Sequence, residues 1–218
     1  MTVPPFQLIQ QLLDLQNKYA RTPRAIVTGE RLEYALSRGA NINVEEAHIR
    51  EKLLEHVGHL PVIAAFLHTH LEHRERVNLG RSLIMLAVHD IGETITGDVL
   101  TYHKSDKQSE EENAIARTLL PKELIPYFDE FELRETFDAK YAKSVDAIAP
   151  LLHELDMPNL IRNRFQTYGF NSTNIQTKKR KLFEWDNSLF QLFETMTDAY
   201  RKIERGEPTG FKTIIDLP

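Results

Sequence analysis

The sequence has nine histidines and no cysteine, so a strong metal site must be built from imidazoles and carboxylates. His89 and Asp90 stand at the end of the apolar run formed by residues 83–88. Both side chains would be costly to bury there without compensation. A divalent metal ion compensates them well, because neutral imidazole and carboxylate are both good ligands. The alternative is a core histidine that is hydrogen-bonded to a carboxylate.

Two further metal-competent side chains fall on apolar helix faces when residues are placed at about 100° steps. Asp146 shares its face with Ala142, Val145 and Ala149. His56 lies within a stripe that consists of Leu53, Leu60, Ile63 and Leu67. Asp146 could instead pair with a nearby Lys or Arg, and His59, at the margin of the stripe, competes with His56 as the inward ligand.

Helical periodicity throughout the chain predicts an all-α fold. The predicted helices cover residues 6–20, 44–73, 81–93, 108–120, 138–155 and 181–204. Gly58 with Pro61 predicts a kink or break in the second helix, and Pro150 predicts one in the fifth. Residues 24–43 and 169–177 are interpreted as connections. The candidate ligands therefore come from three separate helices, as in metal sites of helical bundles.

These residues resemble the signature of the HD-domain phosphohydrolases, which is a His, then a His-Asp pair, then a distant Asp. Three segments carry the resemblance: Glu51-Lys-Leu-Leu-Glu55-His56, the block from His89 to Thr101, and Ala142-Lys-Ser-Val-Asp146. The block from His89 to Thr101 is similar to that of the 5′-deoxynucleotidase branch. The resemblance covers residues 45–155 and implies an HD-domain helical bundle with extra N- and C-terminal helices. It implies the following metal ligands: His56, His89, Asp90 and Asp146.

The resemblance also implies roles for residues after the His-Asp pair. It assigns catalysis to Glu93 and sugar or phosphate contacts to Asp98 and Thr101. Either Glu93 or Asp98 would orient the attacking water or protonate the leaving sugar oxygen, which requires a carboxyl group within hydrogen-bond reach.

Cations that would bind the substrate phosphate are less well defined by the sequence. Lys104 follows the block from His89 to Thr101 by three residues and is a candidate. The branch has an Arg-aromatic pair shortly before its first His, and Arg24 and Arg38 are the candidates for this arginine. An apparent insertion around residues 39–46 separates both from His56.

The function that the resemblance implies is removal of phosphate from nucleoside or deoxynucleoside 5′-monophosphates with a divalent cation, which could be manganese, cobalt, magnesium, iron or zinc. A phosphodiesterase or a triphosphohydrolase acting on another nucleotide is the first alternative. A non-catalytic regulatory module of the same fold is the second.

Length and composition set the remaining expectations. The 218 residues predict a single HD-type domain, with a metal-binding core at about 45–155 and a helical extension at 156–218. The net charge of −5 argues against extended nucleic-acid binding. No bilayer-length apolar run or secretory signal is apparent, so a cytoplasmic location is expected. The family resemblance leads us to expect a homodimer.

Three other features receive no catalytic role. His68, His70 and His73 are interpreted as a solvated helix end. The basic run of residues 178–181 is interpreted as a solvated helix start or linker, and Trp185 as core packing.

Overall fold

The computed structural model describes residues 23–27, 50–98, 104–155, 171–209 and 211, the strand residues among them by their backbone alone. Helices make up most of this part of the chain, which confirms the all-α class. In chain order they are α1 (Leu53–His68), α2 (Leu79–Val88), α3 (Glu93–Thr96), α4 (Asp106–Leu119), α5 (Ile125–Leu133), α6 (Phe137–Leu155), α7 (Ser172–Lys179) and α8 (Asn187–Glu204).

A short antiparallel ribbon precedes the helices. Strand β1 (Pro23–Val27) pairs with β2 (Arg50–Lys52). The sequence analysis placed the second of these segments inside a helix running over residues 44–73, which is wrong at both ends. Strand pairing depends on a partner more than twenty residues away, and helical periodicity carries no information about it. The helix expected over residues 6–20 lies outside the described residues.

Proline does not end either of the helices in which a kink or break was expected. Pro61 lies within α1 and Pro150 lies within α6, and both helices continue past them. Each proline removes one backbone donor, but the packing of a long helix can offset the loss of a single hydrogen bond.

Helices α5 and α7 were absent from the sequence-based prediction, and the short α3 was predicted only at its first residue. Helix α5 lies in a stretch for which no element was predicted, and it begins with a proline at one of its first positions. Helix α7 lies where a linker was expected, and Asn171 caps it in a reciprocal arrangement with Asn174. Both helices carry start signals in the sequence, but neither is long enough to show a clear periodicity.

The main core forms around α6, which packs against α1, α2, α5 and α8. Its buried side chains come from all of these helices, so the C-terminal α8 shares one core with the first helices. Aromatic rings of Tyr141, Phe183, Phe193 and Tyr200 are almost completely buried in it. Each large apolar side chain buried in this way contributes about 1.5–3 kcal/mol relative to exposure. This core fixes the relative positions of the helices that carry the candidate ligands.

A smaller apolar cluster lies beside the main core and holds α4 against the ends of α1 and α2. Its buried members are Leu53, Val88, Ile91, Ala116, Leu120 and Phe128. Within the described chain, no helix is both long and apolar enough to cross a lipid bilayer.

Candidate metal centre

The first imidazole of the site is on α1. His56 is 2% exposed, and it points inward with Leu53, Leu60 and Ile63 on the buried side of the helix. His59, one turn further on, is exposed to solvent. The apolar stripe in the sequence therefore identified the inward-facing histidine of the pair.

The second imidazole follows the end of α2. The backbone amide of His89 donates to Met85 O at 3.0 Å and thus closes the last turn of the helix. Its ring Nδ1 lies 3.0 Å from Leu86 O. Because a carbonyl oxygen can only accept, Nδ1 must carry the proton, and Nε2 is left to face the interior of the site.

Two carboxylates meet these imidazoles. Asp90 Oδ1 is 3.0 Å from His89 Nε2, and Asp90 Oδ2 is 3.6 Å from His56 Nε2. Asp146 on α6 places Oδ1 at 3.4 Å from both Nε2 atoms. The two histidine rings are 6.0 Å apart between centroids. Side chains from α1, the α2 end and α6 thus converge on one small volume.

The donor atoms fit a divalent cation. The Nε2 atoms of His56 and His89 are both buried and find no hydrogen-bond partner among the described residues. One ligand atom each from His56, His89 and Asp146 lie within 4.8 Å of one another, as the ligands of one ion must. Asp90 falls outside this group of three, although it contacts both imidazoles. Ring nitrogens that face carboxylates in a buried site require a positive charge between them, either a proton or a metal ion, and these residues could hold a metal ion that supplies it.

The protonation equilibria reflect the same concentration of negative charge. Burial disfavours the charged form of His89, but the charges of Asp90 and Asp146 outweigh it and raise the pKa of His89 to about 10. Burial disfavours ionised Asp146 as well, yet the neighbouring Lys143 and His89 hold the pKa of this carboxyl well below its usual range. The carboxylates thus hold a proton on His89, and a metal ion bound at this point would take the place of that proton.

Lys143 is a site residue to which the sequence analysis gave no role. Its Nζ is 3.0 Å from Asp146 Oδ2 and lies 4.5 Å from the centre of the Phe131 ring. Burial disfavours its charge, but Asp146 raises the pKa of Lys143 above its usual value. The pairing of Asp146 with a lysine, considered above as an alternative to metal ligation, is thus present beside the two imidazoles. The spacing of three residues on one helix was the available signal.

Phe131, on α5, forms an apolar wall of the site. Its ring packs 4.9 Å from that of His89 and also supports the Lys143 ammonium group. Because α5 was not predicted, neither was this contact. The ring shields one side of the imidazole from water.

The candidate ligands His89, Asp90 and Asp146 line a cavity of about 350 Å³, which we call the metal-site cavity. Glu93, at the start of α3, is 5% exposed and also lines it, as does Asp98. Both predicted catalytic carboxylates therefore share the cavity with the candidate ligands. Whether they take part in catalysis stays a prediction.

Glycines fix the backbone that carries these two carboxylates. A Cβ on Gly92 would lie 2.6 Å from Glu112 O, so only glycine allows α4 to approach this closely. Gly97 ends α3 with φ 78° and ψ 153°, a conformation that is essentially restricted to glycine. The two glycines thereby place Glu93 and Asp98 on either side of one helical turn.

Lys104 lines the same cavity but is already engaged with carboxylates. It forms an ion pair with Glu112, and its Nζ is 3.9 Å from Glu93 Oε1. Burial raises the pKa of Glu112, although the charge of Lys104 opposes the shift. Lys104 is therefore placed to position Glu93 as well as to meet a substrate.

The other predicted substrate contacts lie outside what the structure describes. Thr101 and Arg38 are not among the described residues, and only the backbone of Arg24 is described, in β1. These three assignments stay predictions. In the histidine-rich segment at the end of α1, His70 is exposed, whereas Nε2 of the partly buried His68, the last residue of the helix, lies 3.2 Å from Val77 O.

The chain is similar in sequence to proteins of known family. The model of the HD domain family matches residues 41–183. The 5′-deoxynucleotidase HDDC2 of Mus musculus is 28% identical over 127 residues, which cover 54% of this chain and 60% of the relative. Its Homo sapiens counterpart is 28% identical over 119 residues, which cover 50% of this chain and 56% of the relative. The match thus spans less than two thirds of the length of these curated relatives.

Solved structures show the same fold. A crystal structure of a predicted metal-dependent phosphohydrolase from Magnetospirillum magnetotacticum superposes with a TM-score of 0.68 at 21% identity, over 92% of this chain and 97% of that one. A conserved hypothetical protein from Pyrococcus furiosus gives a TM-score of 0.54 at 18% identity, and the superposition covers 87% of this chain and 99% of that protein. Because the family match covers well over half of the sequence, this chain belongs to the HD-domain family.

Proposed function

We propose that this protein is a metal-dependent phosphohydrolase that removes phosphate from deoxynucleoside 5′-monophosphates. One observation carries the proposal: two buried imidazole nitrogens without hydrogen-bond partners among the described residues face two carboxylates beside a cavity. The similarity to a 5′-deoxynucleotidase supports the choice of substrate class.

The ion would be held by His56, His89, Asp90 and Asp146. When bound, a divalent cation supplies a Lewis acid that activates water and polarises a phosphoryl oxygen. The set contains no thiolate, and it suits manganese, cobalt, magnesium, iron or zinc. The hydrogen bond from His89 Nδ1 to Leu86 O would keep the second nitrogen of the ring aimed at the ion.

Proton transfer would fall to Glu93, with Asp98 as the alternative. Glu93 is buried at the cavity wall, with the Lys104 ammonium group 3.9 Å away. It would accept a proton from the attacking water and later donate one to the leaving sugar oxygen, which releases phosphate and a nucleoside. No covalent intermediate with the protein is needed.

Lys143 would stabilise the transferred phosphoryl group. It is held beside Asp146 at the cavity and carries a positive charge that a phosphate oxygen can share. Because this charge lies next to the candidate metal ligands, it would act where negative charge develops during the reaction. Thr101, Arg24 and Arg38 stay predicted substrate contacts.

The size of the cavity favours a small substrate. At about 350 Å³ it lies at the lower end of the ~300–1,000 Å³ range of ligand pockets. This favours a nucleoside monophosphate over a triphosphate or a nucleic acid. A phosphodiesterase, a triphosphohydrolase and a non-catalytic module are the alternatives that an experiment must separate.

A substrate panel tests the proposal. Purified protein is incubated with manganese, cobalt or magnesium and with deoxynucleoside monophosphates, ribonucleoside monophosphates, triphosphates and cyclic nucleotides, and free phosphate is measured. We expect release from deoxynucleoside monophosphates and none in excess chelator. Turnover confined to triphosphates or cyclic nucleotides would contradict the proposed substrate, and no turnover with any metal would favour a regulatory module.

Three wider features complete the proposal. We propose a single domain, because α8 packs on α6 within the main core. A homodimer and a cytoplasmic location stay predictions. Light scattering of the purified protein and fractionation of cells that express it natively would test these two.

A further inference from the structure

Three basic side chains line the metal-site cavity in addition to the lysines already described. They are Arg134, which follows α5, and Lys178 and Lys179 at the end of α7. We call them the basic wall. The sequence analysis gave the run of residues 178–181 no function, and neither α5 nor α7 was predicted.

Arg134 adopts a backbone conformation that is unusual for its residue type. It caps α5 with φ 57° and ψ 28°, and it is the one non-glycine residue with positive φ in the described part of the chain. Glycine or asparagine commonly fills this left-handed position, because a longer side chain is strained there. An arginine at this point therefore needs an explanation other than the geometry of the turn.

Among the residues that the structure describes, the side chain of Arg134 has no partner that would provide this explanation. Within the described chain it makes no hydrogen bond and no ion pair, whereas Lys104 pairs with Glu112 and Lys143 with Asp146. The negative end of the α5 dipole favours a cation here, but it does not require one that lines a cavity.

The lysines of α7 bring positive charge to the cavity from a second element. Lys179 Nζ donates a hydrogen bond to Ala147 O at 3.2 Å, next to the candidate ligand Asp146. Lys178 is more exposed but lines the same cavity. By contrast, Lys181 belongs to the same basic run, is exposed and does not line the cavity.

We propose that the basic wall binds the phosphate group of the substrate, with Arg134 as the principal contact. The inference rests on the proposed function for its substrate class. A guanidinium group can donate two parallel hydrogen bonds to a phosphate, and the ammonium groups add charge without fixed geometry. Arg134 supplies positive charge that Lys104 and Lys143, both paired with carboxylates, provide only in part.

Inorganic phosphate is the probe, and calorimetric titration of cobalt-loaded protein is the measurement. We expect Arg134→Gly to raise the Kd for phosphate about tenfold or more, as for loss of a charge-assisted contact. Arg134→Lys should recover part of the affinity. Lys178→Ala should raise the Kd severalfold, and Lys181→Ala, the matched control, should leave it unchanged.

The choice of Arg134→Gly separates binding from folding. Glycine relieves the strain of a positive φ, so the variant should melt at the same temperature as the wild type or higher, and its cobalt content should not change. If phosphate fails to bind the wild type, or if both Arg134→Gly and Lys178→Ala bind it normally, the inference is overturned. If the basic wall binds phosphate but no nucleotide is hydrolysed, the proposed function is contradicted, whereas the assignment of the basic wall as a phosphate-binding site still holds.

Discussion

At the scale of single residues, the two buried Nε2 atoms determine what the site can do. Each lies within 3.6 Å of a carboxylate oxygen from Asp90 or Asp146, yet neither makes a hydrogen bond within the described chain. A metal ion at this point would satisfy both imidazoles and neutralise both carboxylates. Without it, the same groups must share protons, as the raised pKa of His89 indicates.

Two histidines one turn apart on α1 provide a matched test. We expect His56→Ala to reduce metal affinity and nucleotide hydrolysis by about a hundredfold or more, since even the loss of an outer partner of a ligand costs ~10–100-fold. His59→Ala should change neither, because His59 is exposed. Metal content by elemental analysis and phosphate release are the measurements. Equal loss of metal in both variants would argue against the assignment.

Lys143 should affect metal binding and turnover in opposite directions. Its charge stabilises Asp146 but repels a nearby cation, so Lys143→Met should tighten metal binding about tenfold, the order expected for one unit charge removed from a partly screened site. The same variant should hydrolyse nucleotides more slowly, because a positive charge beside the phosphoryl group is lost. Metal titration and steady-state kinetics separate the two effects. A variant that binds metal more weakly would show that Lys143 mainly orders the site.

At the scale of elements, the packing of three helices positions the candidate ligands. His56 comes from α1, His89 and Asp90 from the end of α2, and Asp146 from α6. Helices α1, α2 and α6 all contact one another within the main core. The close approach of α4 at Gly92 then places Glu93 at the cavity wall. Ligand geometry is therefore a consequence of helix packing.

Two glycines allow this packing to be tested. Gly92→Ala would place a Cβ 2.6 Å from Glu112 O, so we expect it to lower the free energy of unfolding by about 1–3 kcal/mol and to reduce turnover. The control is Gly58→Ala within α1, where a Cβ would meet nothing within 4 Å. It should raise the free energy of unfolding by about 0.5–1 kcal/mol. Chemical denaturation measures both, and a neutral Gly92→Ala would contradict the tight contact.

The sequence predicted long elements better than short ones. His56 and Asp146 could be identified because they interrupt apolar stripes on long helices, where periodicity is clear. Helix α5 was missed because its nine residues include a proline and offer few turns to average over. Because α5 was missed, the places of Phe131 and Arg134 at the site were not predicted either, since they depend on contacts between distant segments. Of the kink or break predicted at the prolines within α1 and α6, the break does not occur, because tertiary packing outweighs a local preference.

At the scale of the whole molecule, metal binding and stability should be linked. An ion that binds only the folded chain stabilises it by about 2.7 kcal/mol at a hundred times its Kd. We therefore expect chelator to lower the melting temperature and added cobalt or manganese to restore it. At the same metal concentration, the melting temperature of His56→Ala should respond to metal much less than that of the wild type. A wild-type melting temperature indifferent to both chelator and metal would contradict this linkage.

The most direct measurement is anomalous diffraction from crystals grown with cobalt. We predict one strong peak at bonding distance, about 2.0–2.2 Å, from the Nε2 atoms of His56 and His89 and from carboxylate oxygens of Asp90 and Asp146. A peak bound elsewhere, or none in these crystals despite saturating cobalt, would contradict the assignment of these four residues as the metal centre.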